Sequence, residues 1–361
     1  MIGQRLKLAR AAAGLSLRDL ASEIDNLVTA QAIGKYERDE AQPGSKVLIA
    51  LARALGVSVD YLAGDQELVL EEVDFRKKSI TSAKEEAQVQ AQALHLLERY
   101  LMVEELLGLP SSEWEAPGEA PYPTNELADA DRASLYLREA WGLGLDPIPN
   151  LVELLEERGI KILSVRLSNV DGLMARVGRG SKPSVPVIVL NNQSWGERQR
   201  FTLAHELGHL LLEVSPKLDE EKASHRFAGA LLMPAESLWA QIGKHRTSVG
   251  WAELFELKQL FGVSVQAIVY RCHDLGIFPQ KLYQSLYRQI AKQGWRKPPY
   301  QEPYAMEPER PVRFYRLCFR ALAEGAVSEA KAAELLGLTV HELNQVMDDP
   351  TASEILKSLD P

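Results

Sequence analysis

Phe201-Thr-Leu-Ala-His-Glu-Leu-Gly-His-Leu-Leu-Leu212 is a largely apolar stretch that carries two histidines four positions apart. On a helix, positions i and i+4 lie on one face, so His205 and His209 can offer two nitrogens to a single metal ion. Glu206 is rotated by roughly 100° from His205, where its carboxylate can activate a water molecule without ligating the ion. The pattern predicts a metal-dependent hydrolase centre. The alternative is a chance match with two structural histidines.

The third protein ligand of a catalytic zinc site is sought in the next segment, Asp219-Glu-Glu-Lys-Ala-Ser-His225. If this segment is helical, Glu221 shares a face with His225, and Glu220 lies on a different face. Both faces also carry apolar residues, so periodicity does not choose between the two glutamates. His225 is open to three interpretations: a ligand, a neighbour that supports the ligands, or an imidazole packed between helices.

The segment around this centre is predicted to mix helices and strands. Three short runs rich in Val and Ile indicate strands: Ile160–Leu167, Gly172–Val177 and Val185–Leu190. Helices are predicted over about 194–213 and 219–232, with Ser194 and Glu197 forming a capping box at the start of the first. This pattern predicts an α+β core that begins at about residue 131.

Residues 1–64 show the rhythm of a helix-turn-helix domain. Ser16 and Asp19 fit a capping box before one helix, and Thr29 is placed to cap the next, which would enter a DNA major groove. Gln31 is the candidate for reading bases, while Thr29, Lys35 and Arg38 suit phosphate contacts. The segment holds 8 Lys/Arg and 7 Asp/Glu, so phosphate attraction is modest unless the chain dimerises. A helix-turn-helix fold used only for protein contacts is the alternative.

The composition of the 361-residue chain narrows the class of protein, and its length predicts two or three domains. No apolar stretch approaches the ~18 residues of a membrane span, and the N-terminus reads as an amphipathic helix rather than a signal peptide. Two cysteines far apart fit a reducing cytosol and exclude a disulfide scaffold. The net charge of −9 does not itself indicate a nucleic-acid binder.

Two further regions flank the predicted core. Residues 65–130 hold 15 Asp/Glu, 5 Lys/Arg and several prolines, which predicts an acidic linker with one helix over about 80–107. Residues 276–361 predict an irregular connection followed by a helical unit without an assigned task. Gly56, Gly262 and Gly337 each precede a Ser or Thr by two positions, and a glycine can end one helix while the hydroxyl caps the next. These joints are either a common corner or a sign of three related units.

The motif segment resembles the ImmA/IrrE family of bacterial metallo-endopeptidases. The resemblance rests on Phe201–His209, on Glu221-x-Ala-Ser-His-Arg-Phe-Ala-x-x-Leu-Leu-Met-Pro234, on Asn150–Ile162 with Asp171-Gly172, and on Phe261–Tyr270. It covers roughly residues 131–275 and implies a zincin-like fold and hydrolysis of a peptide bond. Residues 1–64 are similar to the repressor-like XRE family of DNA-binding domains.

The resemblance implies a role for each site residue. His205 and His209 fall on the histidine ligands, Glu206 on the catalytic glutamate and Glu221 on the glutamate ligand. Many family members have Asn at the position of His225, which places this residue near the site without fixing its task. One divalent ion is implied, zinc in the first instance and manganese as the alternative.

The two modules together predict a cytoplasmic, non-membrane regulator that binds double-stranded DNA and cleaves a specific repressor or antitoxin-like protein. Its oligomeric state is left open between a monomer and a homodimer. One rival is a transcription factor whose protease-like domain senses metal or ligand, or binds a partner, without turnover. Another is an antitoxin-type module that regulates its own operon.

Overall fold

The computed structural model describes residues 2–57, 59–63, 69–71, 83–109, 114–167, 171–179, 182–296 and 302–349. The helices are α1 (Ile2–Ala12), α2 (Leu17–Glu23), α3 (Ala30–Glu37), α4 (Ser45–Leu55), α5 (Val59–Ala63), α6 (Ala83–Leu106), α7 (Leu127–Ala140), α8 (Leu151–Glu157), α9 (Gly196–Leu211), α10 (Glu220–Leu232), α11 (Ala235–Ile242), α12 (Trp251–Phe261), α13 (Val265–Asp274), α14 (Gln280–Lys292), α15 (Arg313–Ala323), α16 (Glu329–Leu336) and α17 (Val340–Asp348). The strands are β1 (Val69–Glu71), β2 (Tyr122–Thr124), β3 (Lys161–Val165), β4 (Gly172–Arg179), β5 (Lys182–Asn191) and β6 (Leu212–Val214). Among the described helices, none combines the length and the apolarity needed to cross a membrane.

The N-terminal helices α1–α5 form a unit with its own core. Ser16 caps α2 in the predicted capping box with Asp19, and the Thr29 hydroxyl accepts a hydrogen bond from the Ala32 amide at the start of α3. These caps satisfy amides that have no partner within the helix. The side chains of Leu6, Leu20, Ile33, Leu51 and Leu62 meet in the centre of the unit. The predicted helix-turn-helix geometry of this segment is confirmed.

A four-stranded sheet lies at the centre of the remaining chain, in the order β1-β4-β5-β3. β3 pairs with β5 in parallel, while β4 is antiparallel to both of its neighbours. Side chains of β5 alternate between two cores, with Ile188 and Leu190 on one face and Val187 and Val189 on the other. The sheet is therefore buried on both faces, and the three predicted strands are confirmed.

One face of the sheet is covered by helices α7–α14, which include the motif helix α9. A short parallel pair, β2 with β6, extends this layer at the end of α9. Ionic contacts tie α10 to its neighbours: Arg226 pairs with Asp131 on α7 at 2.5 Å and with Asp274 on α13 at 2.6 Å. Arg271 on α13 pairs with Asp131 at 2.6 Å. The position of α10 is thus fixed from two sides.

The opposite face is covered by α6 together with α15–α17. Leu97 and Val103 of α6 pack there with Leu317 and Leu336 of the C-terminal helices, and all four side chains are buried. The predicted helix at 80–107 is therefore present, but it belongs to a packed layer and is not part of a solvated linker. The domain boundaries at 64, 130 and 275 remain predictions.

The connection between α14 and α15 is held by buried carboxylates. Glu302 accepts hydrogen bonds from the Lys258 ammonium and the Val265 amide, each at 3.0 Å. Glu309 accepts from the amides of Leu151 and Val152 at 2.7 and 2.9 Å, and so caps α8 from a distant part of the sequence. This part of the C-terminal region therefore holds α8, α12 and α13 in place.

The start of the motif helix differs from the prediction. The N-cap of α9 is Trp195 rather than Ser194, and it contributes no side-chain cap. Glu197 is 1% exposed. Its carboxylate pairs with Lys258 at 2.7 Å and accepts from the Met306 amide at 2.9 Å, so it does not close a capping box. Lys258 is distant in sequence from Glu197, so a local sequence pattern does not reveal that it pairs with this carboxylate.

The packing of α9 on α10 requires the absence of a side chain at Gly208. A Cβ atom there would lie 3.2 Å from Ser224 Cα and 3.2 Å from Phe227 Cδ1, closer than ordinary contact. Ser224 and Phe227 are both fully buried, so neither can move aside easily. The glycine of the motif therefore sets the distance between the two helices.

We expect Gly208→Ala to destabilise the fold by about 1–3 kcal/mol, because the added methyl group overpacks the α9–α10 interface. The measurement is the free energy of unfolding in urea, with the melting temperature as a second readout.

Gly229→Ala is the matched control. Gly229 lies on α10, and a Cβ atom there would meet only Arg271 Cδ at 3.7 Å, an ordinary contact. This change should stabilise the protein by about 0.5–1 kcal/mol, because alanine loses less backbone entropy in a helix. Equal effects of the two substitutions would contradict the packing argument.

Candidate metal centre

The motif histidines and one glutamate of α10 converge on a single point. His205 Nε2 and His209 Nε2 are 3.0 Å apart. Glu221, in the first turn of α10, places Oε2 3.3 Å from His205 Nε2 and Oε1 3.6 Å from His209 Nε2. Among the described residues, these three form the group of His, Cys, Asp or Glu side chains able to hold a metal ion.

The donor set fits a divalent metal ion. Two imidazole nitrogens and one carboxylate are a known ligand set of catalytic zinc, which leaves a fourth position for water or substrate. With ligands about 2.0–2.1 Å from a tetrahedral zinc ion, the ligand atoms lie about 3.3 Å from each other. The observed separations of 3.0, 3.3 and 3.6 Å bracket this value. The three side chains therefore already have the spacing that a tetrahedral zinc ion requires.

The outer nitrogen of His209 has two polar neighbours on α10. Ser224 Oγ lies 3.0 Å from His209 Nδ1, and Glu220 Oε1 lies 3.4 Å from the same atom. When the imidazole proton resides on Nδ1, it is donated to these oxygens, and the Nε2 lone pair remains available for a metal ion. Glu220 and Glu221 therefore lie on different sides of His209, an arrangement that periodicity alone left open.

The environment of the centre is open on the α10 side. The Glu221 side chain is 53% exposed, whereas the His209 side chain is 5% exposed. Glu206 follows His205 directly on α9 and is half-buried. Glu206 therefore adjoins the cluster along α9, and the cluster is partly exposed on its α10 side.

His225 lies at the rim of the centre, on the exposed surface of α10. Its ring centroid is 6.3 Å from that of His205 and 4.8 Å from that of Phe201. Tyr270 of α13 meets the same imidazole at 5.4 Å, edge to face. The structure brings His225 next to the cluster, and its predicted supporting role remains a prediction.

Sequence reasoning missed two kinds of residue at this site. Ser224 carries no signal of its own, because a serine within a helix is common. The ionic partners Asp131, Arg226 and Asp274 are up to 95 residues apart, so no local pattern connects them. Gly208 belongs to the motif, but its role in bringing the helices together appears only once α10 is placed.

The candidate DNA-contacting residues lie on one exposed side of the N-terminal unit. Gln31 and Lys35 of α3 and Arg38 at its C-terminal end are exposed, as is the capping residue Thr29. Arg38 forms an exposed ion pair with Glu40 at 2.7 Å, and a hydrogen bond to that carboxylate raises the pKa of the guanidinium. Such exposed pairs break at little cost, so the guanidinium can exchange partners.

Two family models match the chain. Residues 155–273 match a peptidase family described as the IrrE N-terminal-like domain, and residues 6–62 match the helix-turn-helix family. The first match includes α9, α10 and most of α13, which carry the cluster and its rim. The second match covers α2, α3 and α4 and most of α1 and α5.

Three curated relatives are similar to parts of the chain. The radiation response metalloprotease IrrE of Deinococcus deserti is 34% identical over 134 residues, covering 32% of this chain and 44% of the relative. The HTH-type transcriptional regulator ImmR of Bacillus subtilis is 34% identical over 86 residues, covering 24% of this chain and 66% of the relative. The SPbeta prophage-derived HTH-type transcriptional regulator YonR, also of Bacillus subtilis, is 42% identical over 62 residues, covering 17% of this chain and 56% of the relative.

The chain spans between 44% and 66% of the length of these relatives. Within that limit the predicted recognition is confirmed: an XRE-type helix-turn-helix domain precedes an IrrE-like domain of a peptidase family. The similarity to a metalloprotease implies a divalent metal ion, in agreement with the chemistry of the observed cluster.

We expect Ser224→Ala to weaken metal binding by about 10- to 100-fold, because the His209 imidazole loses a hydrogen-bond partner that orients it. The measurement is a competition titration of the purified protein against a chromophoric chelator.

The matched control is Ser134→Ala. Ser134 is as buried as Ser224, and its hydroxyl donates to the Asp131 carbonyl on α7, away from the cluster. This change should leave the dissociation constant of the metal within about twofold, since no ligand loses a partner. If Ser224→Ala binds metal as tightly as the control, the orienting role is refuted.

Proposed function

We propose that this protein is a DNA-binding transcriptional regulator with a metal-dependent endopeptidase domain that cleaves a specific repressor or antitoxin-like protein. The convergence of His205, His209 and Glu221 within 4.8 Å, with Glu206 adjacent on the same helix, carries the peptidase part of the proposal. The similarity to a metalloprotease and to transcriptional regulators supports the combination.

The chemistry of the proposed reaction is divided between the cluster and Glu206. His205, His209 and Glu221 would hold the ion, and a bound divalent ion supplies a Lewis acid that polarises the scissile carbonyl and lowers the pKa of water. The Glu206 carboxylate takes the proton of the attacking water and returns it to the leaving amine. His209 stays in one tautomer through its contacts with Ser224 and Glu220.

Zinc is the ion that we propose. Two histidines and a glutamate suit it, and its tetrahedral preference agrees with the spacing of the ligand atoms. Manganese favours more oxygen ligands, so it is the second choice. The proposed metal content is one ion per chain.

The N-terminal unit is proposed to direct this activity to a regulatory locus. The exposed side of α3 offers Gln31 to base edges, with Lys35 and Arg38 toward phosphates. The small net charge of this unit favours binding as a homodimer, because two copies double the phosphate contacts. Since the proposed partner is DNA, we place the protein in the cytoplasm.

The peptidase part predicts that Glu206→Gln retains the metal but lowers cleavage of the substrate by about 10²–10⁴-fold, because the proton acceptor is lost. The substrate tested is a small repressor encoded beside the protein, co-expressed with it and followed by immunoblot. His205→Ala and His209→Ala should each abolish binding of the metal, measured by elemental analysis.

Glu236→Gln is the control. Glu236 is exposed on α11, away from the cluster, and its substitution removes the same charge. This variant should cleave like the wild type. If the wild type holds metal and regulates the operon, and the Glu206→Gln variant regulates it equally well, the protein is the non-proteolytic sensor instead.

The DNA-binding part predicts that Lys35→Ala weakens binding to the upstream operator and reduces the slope of log affinity against log salt by about 0.9. Gln31→Ala should instead reduce discrimination between operator and unrelated DNA by about 1–3 kcal/mol. Fluorescence anisotropy at several salt concentrations measures both effects.

Lys292→Ala is the control for the salt slope, because Lys292 is exposed on α14 and the net charge changes equally. An unchanged slope for Lys35→Ala, or the same change in Lys292→Ala, would exclude α3 as the DNA-contacting helix. A protein-contact role for the N-terminal unit would then be favoured.

A further inference from the structure

Aromatic side chains from four helices lie beside the candidate metal centre. We use the name aromatic strip for Phe201 of α9, His225 of α10, Tyr270 of α13, and Tyr283 and Tyr287 of α14. Ring centroids are 4.8 Å apart for Phe201 and His225, 5.4 Å for His225 and Tyr270, and 4.6 Å for Tyr283 and Tyr287. Phe201, His225 and Tyr270 thus form one series of ring contacts, and Tyr283 and Tyr287 form a second. Tyr270 lies close enough to Tyr283 for the two phenols to interact electrostatically.

The strip is joined to the ligand cluster. Phe201 precedes His205 by one helical turn, so the two side chains lie next to each other on α9. The His225 ring is also 6.3 Å from the His205 ring. A molecule held at the cluster would therefore touch the first members of the strip.

The rings of the strip are held in place from behind. Tyr287 donates a hydrogen bond to the Gln266 carbonyl at 3.4 Å. Tyr283 stacks on His273 at 4.2 Å, and His273 Nδ1 lies 3.1 Å from the Phe278 carbonyl oxygen. Because these contacts restrain Tyr283 and Tyr287 before a ligand arrives, little entropy would be lost by ordering these two rings on binding.

The centre of the strip faces solvent. Tyr270 is 42% exposed although its ring packs against His225. Burial, Asp274 and Tyr283 raise the pKa of its phenol, so the hydroxyl stays protonated and can donate. Phe201, Tyr283 and Tyr287 are half-buried and present partial ring surfaces. Such a surface combines apolar area with hydrogen-bonding groups, the combination that ligand sites use.

We propose that the aromatic strip binds a large apolar or aromatic side chain of the peptide held at the metal centre and so selects the substrate. This inference rests on the proposed peptidase function. Proximity to the cluster favours a peptide, because Phe201 and His225 lie directly beside the ligands that would hold the scissile bond. The strip also gives α14 a role in selecting substrate, in a region whose task the sequence left open.

The test is binding of a decapeptide set to the zinc-loaded Glu206→Gln variant, in which peptides differ only by Ala, Glu, Leu or Phe at one scanned position. We expect Phe and Leu peptides to bind about fivefold to tenfold more tightly than Ala peptides at one position. Adding Tyr270→Ala should reduce this preference to below about twofold, because the aromatic contact is lost. Tyr270→Leu should retain most of the preference for Leu, since it preserves the apolar contact.

Tyr136→Ala is the matched control. Tyr136 lies on α7, is 56% exposed and is not part of the strip. This variant should keep the full preference. Circular dichroism and metal content, unchanged in all variants, show that the effects do not come from unfolding.

The outcomes separate this inference from the proposed function. Binding without side-chain preference, or a preference that Tyr270→Ala leaves intact, overturns the inference even if the co-expressed repressor is cleaved. If Tyr270→Ala removes the side-chain preference but the wild-type protein does not cleave the co-expressed repressor, the strip is supported and the peptidase function is refuted. Self-association that Tyr270→Ala abolishes, measured by analytical ultracentrifugation, would identify a homodimer interface and overturn the inference.

Discussion

The close approach of α9 and α10 is the constraint on which the metal centre depends. Gly208 allows the two helices to touch, because a Cβ atom at this position would lie 3.2 Å from the backbone of Ser224. Contact at this point brings the first turn of α10 over the histidines. Glu221 then faces the two Nε2 atoms, and Ser224 reaches Nδ1 of His209. The absence of a side chain at Gly208 thus allows Glu221 to face the histidines and Ser224 to contact His209.

The local parts of this arrangement could be predicted from the sequence. His205 and His209 share a face whenever their segment is helical, whatever the rest of the fold. The caps formed by Ser16 and Thr29 depend only on residues three positions away. The choice of Glu221 over Glu220 is different, because it depends on how α10 lies against α9. Periodicity left it open, and only the family resemblance selected Glu221. Ser224 could not be predicted at all, since its task exists only in the packed pair.

The second face of the sheet shows where sequence reasoning fails on a larger scale. An excess of acidic residues suggested a linker over 65–130, yet Leu97 and Val103 of α6 are buried against the sheet. The acidic residues that decide the packing are neutralised from far away: Glu104 pairs with Lys161 at 2.6 Å and with Arg313 at 3.4 Å. Charge counted along the sequence does not reveal such partners. An excess of acidic residues therefore indicates a solvated segment only where no Lys or Arg from a distant part of the sequence pairs with them.

Helix α6 joins the N-terminal unit to the sheet, and this connection limits how α3 and the candidate metal centre can communicate. Arg5 of α1 pairs with Glu98 of α6, and both side chains are buried. Leaving either charge there without its partner would cost about 3–5 kcal/mol, so the contact does not open easily. α6 lies on one face of the sheet and α9 on the other. A signal between α3 and the candidate metal centre would therefore have to pass through a packed sheet and shift whole layers.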